Sequence, residues 1–359
     1  MNIDKLREFL KKQKVDGILL RRRNNFSWVT EGRYNHIVRA TEIGVADLII
    51  TQDKAYLVTA KMEESRLTEE EVTLFPFDCE VVSDDWFVDI TPKIEALTEG
   101  LEMVTDTPFK DWEVVDDELI EIRSVLNEQE IEKYRALCQQ AAEAVEETCR
   151  EIFQGQTEHE IEALLASKVL PLGIKPHVIL VATDERIRRY RHPIPTNKKL
   201  EKHAMIVICA EKHGLIANVT RMVHFGQLSE ELLVNEEKVQ RIDAVMNLHT
   251  LPGTRVGKII DKGIEQYEKE GYPEDWKLLH QGGLTGFNPR EYLAAPTSEA
   301  IIKTGQVFAW NPALTGVKSE DTILVTENGP EFLTDTDKWE YGFTEIDGEH
   351  LKRPKILIR

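Results

Sequence analysis

The chain has 359 residues, 41% of them hydrophobic, with a net charge of −19 and a pI near 5.1. That is enough apolar material for a sizeable core and too long a chain for one ordinary domain, so two domains are expected. The acidic balance argues against general binding to nucleic acid or to an anionic membrane, and no apolar run approaches the length of a membrane span. Cys79, Cys138, Cys149 and Cys209 show neither CxxC nor disulfide-framework spacing, and no secretory leader pattern opens the chain, so a reduced, cytoplasmic protein is expected. Cys209 lies in an apolar strand pattern and reads as inert core rather than as a nucleophile.

The chain opens with a helical stripe over residues 2–13 (Ile3, Leu6, Phe9, Leu10) and a short strand over 16–20. The basic triplet Arg21-Arg22-Arg23 reads as a solvated strand end or, alternatively, as an anchor for an anionic group or a subunit. Residues 24–40 look like an aromatic, polar loop. A hairpin follows over 45–50 and 55–58, then a polar helix over 63–71, a strand over 74–77 and a helix over 89–98. This alternation predicts an α/β domain, with the acidic stretch 111–121 as a linker.

From residue 127 to 152, apolar residues recur at three and four (Ile131, Tyr134, Cys138, Ala142, Val145, Cys149, Ile152), which predicts a long packed helix. Thr157 with Glu160 forms a capping box for a second helix running to about Val169. A strand over 177–182 leads to a basic loop, 186–191, and then to His192-Pro193-Ile194-Pro195, where the prolines stiffen the backbone. A strand pair over 205–226 carries Asn218, Thr220 and Arg221. Helices are expected over 229–248 and 255–270, then the turn His280-Gln281-Gly282-Gly283, a loop over 285–296 and strands over 306–310, 321–326 and 356–358. The second domain is therefore predicted to be α+β with antiparallel hairpins. HExxH, GxxxxGKS/T, GxSxG and GxGxxG are all missing.

The order of these segments, the strand pair closing in Thr220-Arg221 and the ending Glu320-Asp321-Thr322-Ile323-Leu324-Val325-Thr326-Glu327-Asn328-Gly329 resemble the creatinase, prolidase, aminopeptidase P and methionine aminopeptidase superfamily, the pita-bread fold. The resemblance implies a creatinase-type N-terminal α/β domain over 1–122 and an α+β pita-bread catalytic-type domain over 123–359. Metallopeptidases of this superfamily hold two divalent metals with two Asp, one His and two Glu. In this sequence the two Asp positions fall at Val207 and Asn218. The His position falls near Gly282-Gly283, two or three residues after His280. The first Glu position falls at Asn311, and only the last Glu is retained, at Glu320. The family's later His-Glu pair appears as Arg290-Glu291.

A site with one acid, two amides and a valine in these places is not expected to retain a metal pair, although weak Mn, Co or Zn binding is left open. Creatinase, with this fold, hydrolyses a C–N bond without metal by means of a histidine. The matching position implies His192 as general acid/base. The ordinary alternative for His192 is a loop histidine bonded to backbone. Glu320 is a candidate to orient an N–H group or a water, or else a buried partner of Arg221. His280 is a candidate second acid/base, or a capping residue. Arg221, Arg290, Glu291, Asn218 and Asn311 are candidate substrate contacts, with Arg188 or Arg189 as alternative carboxylate clamps. Trp28, Arg33, Tyr34 and His36 are candidate contacts from the first domain.

The leading expectation is a metal-independent hydrolase of the C–N bond in a small peptide-like or amidino compound. A weakly metal-dependent Xaa-Pro dipeptidase or aminopeptidase, and a non-catalytic ligand- or partner-binding protein, stand as alternatives. A homodimer is implied by the resemblance alone, with a small molecule or short peptide as partner.

Overall fold

The computed structural model describes residues 1–359, which divide into two compact units. Unit 1 comprises Met1–Ser124 with His213–Leu215, and unit 2 comprises Val125–Lys212 with Ile216–Arg359.

Unit 1 is built on a six-stranded sheet whose strands are β1 (Gly17–Arg22), β2 (Ile43–Thr51), β3 (Ala55–Ala60), β4 (Glu80–Asp84), β5 (Met103–Thr105) and β6 (Glu113–Val114), in the order β4-β3-β2-β1-β5-β6. The sheet is mixed: β1 runs antiparallel to β2 and parallel to β5. Leu19, Ile49, Val58, Ile94 and Met103 form a core cluster of this unit. The helix at Asn2–Gln13 buries the expected stripe, with Ile3, Leu6 and Leu10 fully enclosed.

Three sequence expectations fail here. Residues Arg23–Val29 form a helix rather than part of a loop. Its Phe26, Trp28 and Val29 are fully buried, and packing of these aromatics outweighs the weak helix propensity of Arg-Asn-Asn-Phe-Ser-Trp-Val. The expected linker over 111–121 instead carries β6 and a helix, Asp116–Arg123. Its Arg123 is 1% exposed and donates to Asn25 Oδ1 at 2.7 Å, so the acidic composition masked a buried attachment. The expected strand over 74–77 is displaced to β4, after a π-helical turn at Leu67–Glu71. The basic triplet is consumed internally: the backbone amides of Arg21 and Arg22 both donate to the Asp106 carboxylate at 2.9 Å, while Arg21 pairs with Asp47 and Arg22 with Asp116, each at 3.2 Å.

Unit 2 has two main sheets. One contains β7 (Lys175–Thr183), β8 (His203–Lys212), β9 (Leu215–His224) and the terminal strand Leu357–Ile358, which runs parallel to β9. The other has the order β11-β10-β12-β15-β16, with β10 (Gly282–Thr285), β11 (Tyr292–Leu293), β12 (Val307–Trp310), β15 (Asp321–Thr326) and β16 (Gly329–Phe332). Two short strands, β13 (Ala313–Leu314) and β14 (Val317–Lys318), pair separately. Helices at Glu128–Glu151, Glu158–Val169, Glu230–Leu248 and Val256–Lys269 complete the unit. Capping boxes are present at Asn127/Glu130 and at Thr157/Glu160. The hairpin Tyr341–Ile346 with Glu349–Pro354 escaped the sequence reading because its strands alternate poorly and stay largely exposed. The expected basic loop over 186–191 is mostly a short helix, Glu185–Arg189.

Candidate functional site

β8 and β9 join through His213 (φ 56°) and Gly214 (φ 75°), a two-residue turn with both central residues left-handed, which suits the twist of a hairpin. β9 then places Asn218 and Thr220 against the start of β15. The Asn218 amide donates to Thr322 Oγ1 at 2.9 Å, and the Thr220 amide donates to the Glu320 carbonyl at 3.1 Å. The His-Gln-Gly-Gly turn brings β10 alongside. A Cβ at Gly282 would lie 2.1 Å from the Ala309 carbonyl oxygen and one at Gly283 2.3 Å from that of Tyr292, so only glycine permits this approach. The β12–β15 pairing sets Trp310 opposite Asp321, which brings Asn311, one residue on, beside the segment that carries Glu320.

At the centre stands Glu320, 3% exposed. Its Oε1 accepts from Arg290 Nη2 at 2.9 Å, and its Oε2 accepts from Lys318 Nζ at 2.8 Å and from Thr220 Oγ1 at 2.7 Å. Burial alone would raise this carboxyl. The Lys318 ammonium and the Arg290 guanidinium overcome burial and hold it down at about 2. Glu320 is thus an ionised anchor whose two oxygens are both occupied, and not a proton acceptor at neutral pH. The expectation that it pairs with Arg221 is corrected. Arg221 lies in a separate buried network, donating to Asp321 Oδ1 and the Thr334 carbonyl at 2.9 Å each and to Glu146 Oε1 at 3.3 Å. These bonds, with one to the Thr220 carbonyl, engage every nitrogen of its guanidinium inside this buried network.

His192 and His280 stand together, with ring centroids 5.4 Å apart. Burial, then the charges of Arg290 and His192, hold His280 down at about 4. His192 is at the surface, yet partial desolvation and the Lys318 charge keep it below the ordinary 6.5. Both rings are therefore neutral near pH 7 and can accept a proton.

The His192 loop is fixed by two carboxylates. Glu158, fully buried, accepts from Thr183 N at 2.9 Å and Thr196 N at 2.9 Å and pairs with Arg186, which in turn donates to the Ile194 carbonyl. Asp184 accepts from the backbone amides of Glu201, Lys202 and His203.

The remaining candidates separate clearly. Asn218 Nδ2 donates to Thr285 Oγ1 at 3.0 Å, whereas Asn218 Oδ1 and Asn311 Oδ1 are buried without partners, as are His280 Nδ1 and Arg290 Nε. Val207 is 3% exposed and presents no lone pair. Glu291 is buried and accepts from the Phe287 amide and Asn288 Nδ2, an internal brace rather than a substrate contact. Arg188 is paired with Glu231, and Arg189 is exposed. Trp28 is fully buried in unit 1 and offers no face to a substrate, which corrects that expectation. Arg33, Tyr34 and His36 also belong to unit 1, where the Tyr34 and His36 rings meet edge-on at 5.2 Å. Burial pushes the Cys209 thiol up to about 12, so it is no thiolate nucleophile at neutral pH.

Lys318 is the residue that sequence reading missed. It lies two residues before Glu320, the spacing that returns a strand side chain to the same face. On the opposite face, Ser319 and Asp321 join Arg353 and Asp243: Arg353 reaches Asp321 at 2.6 Å and Ser319 Oγ at 3.1 Å, and Ser319 Oγ donates to Asp243 at 2.9 Å.

A divalent pair needs several anionic or imidazole donors converging on it. No group of three or more His, Cys, Asp or Glu side chains is placed to hold a metal ion. Glu320, the one carboxylate at the family's ligand positions, is already matched by two cations. This donor set does not fit a pair of divalent ions.

Comparison with known proteins agrees with this architecture. The model of metallopeptidase family M24 matches residues 132–327, and that of the creatinase/prolidase N-terminal domain matches residues 2–105. The chain is similar to an Xaa-Pro dipeptidase of Pyrococcus horikoshii, at 24% identity over 351 residues covering 94% of this chain and 97% of that one. It is also similar to an Xaa-Pro dipeptidase of Pyrococcus furiosus, at 25% identity over 243 residues covering 64% and 68% of the two chains. The crystal structure of the prolidase from Pyrococcus horikoshii OT3 matches with a TM-score of 0.79 at 21% identity, covering 93% of this chain and 98% of that one.

Proposed function

The chain belongs to metallopeptidase family M24, with the pita-bread fold, and from that premise we propose that it hydrolyses the C–N bond of a short peptide or small amidino compound without a metal pair. The observation that carries this reading is the pair of neutral imidazoles, His192 and His280, beside a carboxylate already clamped by Lys318 and Arg290. The relatives named as Xaa-Pro dipeptidases support the peptide-like substrate class.

In this reading His192 takes a proton from water as the water oxygen attacks the substrate carbon. The electron density that shifts to the carbonyl oxygen of a peptide, or to the second nitrogen of an amidino group, is met by the positive field of Arg290 and Lys318. The C–N bond then breaks as the His192 imidazolium returns its proton to the departing nitrogen. His280, neutral and packed against His192 with ring centroids 5.4 Å apart, helps to hold that imidazole in place, a positioning role. Glu320 keeps the two cations in place, a positioning role. Asn218 Oδ1 and Asn311 Oδ1 are available to accept substrate N–H groups. A cytoplasmic homodimer belongs to the same proposal. It is supported by four free cysteines and by the lack of any helix long and apolar enough to cross a membrane, with the dimer resting on family resemblance.

The test is turnover of a panel of Xaa-Pro dipeptides, other dipeptides and amidino compounds, with and without a chelator, alongside metal analysis of the purified protein. Turnover that a chelator leaves unchanged supports the proposal. Chelator-sensitive Xaa-Pro cleavage with stoichiometric bound metal assigns a metal-dependent dipeptidase instead. Ligand binding with no turnover across the panel assigns a binding role.

A further inference from the structure

Two positive charges and one negative charge meet at Glu320, and both cations are nearly enclosed: the Lys318 side chain is 5% exposed and that of Arg290 11%. Burying an ammonium is costly unless it is paired and hydrogen-bonded, so an enclosed lysine on a retained ligand carboxylate is a specific arrangement and not a solvated surface charge. The positions around it are those that carry metal-binding acids in the wider family, here Val207, Asn218, Asn311 and Glu320. The two amide oxygens among them, Asn218 Oδ1 and Asn311 Oδ1, are buried and make no hydrogen bond. Oxygen acceptors thus persist where a cation would sit, while the carboxylate that would bind it is spent on Lys318 and Arg290.

We infer that Lys318 is a built-in cation occupying the electrostatic place of the family's metals and that it closes the cluster to divalent ions. An incoming dication would have to displace Lys318 Nζ from Glu320 Oε2, where it sits at 2.8 Å, and would then face the displaced ammonium and the Arg290 guanidinium with no added anion to offset it. Removing the ammonium while keeping Glu320 frees one acceptor position on Oε2, which still accepts from Thr220 Oγ1, and with the two unsatisfied amide oxygens this gives a set of hard donors suited to Mn²⁺ or Mg²⁺.

This inference concerns the cluster used in the proposed hydrolysis, but its test reads metal binding and not turnover, so the two can fail separately. Mn²⁺ is titrated into the full-length wild-type protein and the variants Lys318→Met, Lys318→Gln and Lys318→Arg by calorimetry, with bound metal counted after gel filtration. The wild type and Lys318→Arg are expected to retain no Mn²⁺. Lys318→Met and Lys318→Gln are expected to gain one ion per chain, at least about tenfold tighter than wild type, and adding Glu320→Gln is expected to abolish the gain. Wild-type protein that keeps one Mn²⁺ per chain overturns the inference, and this result stands whichever variants fold. A folded neutral variant that binds no better than wild type overturns it as well.

Discussion

Replacing Glu320 with glutamine leaves the shape of the cluster nearly intact and removes the charge that Lys318 and Arg290 share. The carboxyl titrates at about 2 in the folded protein against an ordinary 4.5. At about 1.4 kcal/mol per pH unit, that gap corresponds to about 3 kcal/mol of stability at neutral pH. Because the folded value is depressed, this contribution is complete above pH 4.5 and fades as the pH falls toward 2. Glu320→Gln is therefore expected to lose about 3 kcal/mol at pH 7, with the unfolding midpoint lowered by roughly 6–12 °C. Urea unfolding of both proteins at pH 7, 4 and 3, followed by tryptophan fluorescence and far-UV circular dichroism, should show the two curves converging in acid. A variant within about 0.5 kcal/mol of wild type at pH 7, or a difference that does not narrow on acidification, would refute the ion-pair account of this centre.

Arg353→Met should be costlier still, at about 3–5 kcal/mol, because it leaves the fully buried Asp243 without its cation and Asp321 with Arg221 alone; urea denaturation at neutral pH measures this. His192→Ala should lower kcat by about 10²–10⁴-fold on any substrate found. The wild-type acidic limb of kcat/KM should lie below pH 6.5, because the neutral imidazole is the active form and both histidines are depressed. Glu158→Ala should release the loop over residues 184–196, raising KM and exposing the segment to limited proteolysis while far-UV circular dichroism is retained.

Local patterns made much of the scaffold legible. The stripe of the helix at Glu128–Glu151, the capping box at Thr157 and the strand pair around Gly214 are encoded by neighbours in sequence, so periodicity and turn chemistry expose them. The helix at Arg23–Val29 was hidden because it is held by distant contacts, such as Asn25 with Asp106 and Asp116. Of the candidate site, the resemblance pointed to His192 and Glu320, and His280 was named from the His-Gln-Gly-Gly turn beside the family's His position. The partners of Glu320 were not, since a lysine two residues away and an arginine thirty residues away look alike until the fold decides which carboxylate each one meets. Arg221 shows the same limit: Glu320 and Asp321 are adjacent, and strand alternation sends the guanidinium to the second of them.

That alternation over Lys318-Ser319-Glu320-Asp321 has a consequence for how such a protein can change. Odd positions are tied into an interior lattice with Arg221, Arg353 and Asp243, where a substitution threatens folding. Even positions face the reactive cluster, where a substitution alters chemistry first. Four consecutive residues thus divide mutational tolerance between them, so a lineage can exchange what the cluster binds without renegotiating the architecture that presents it.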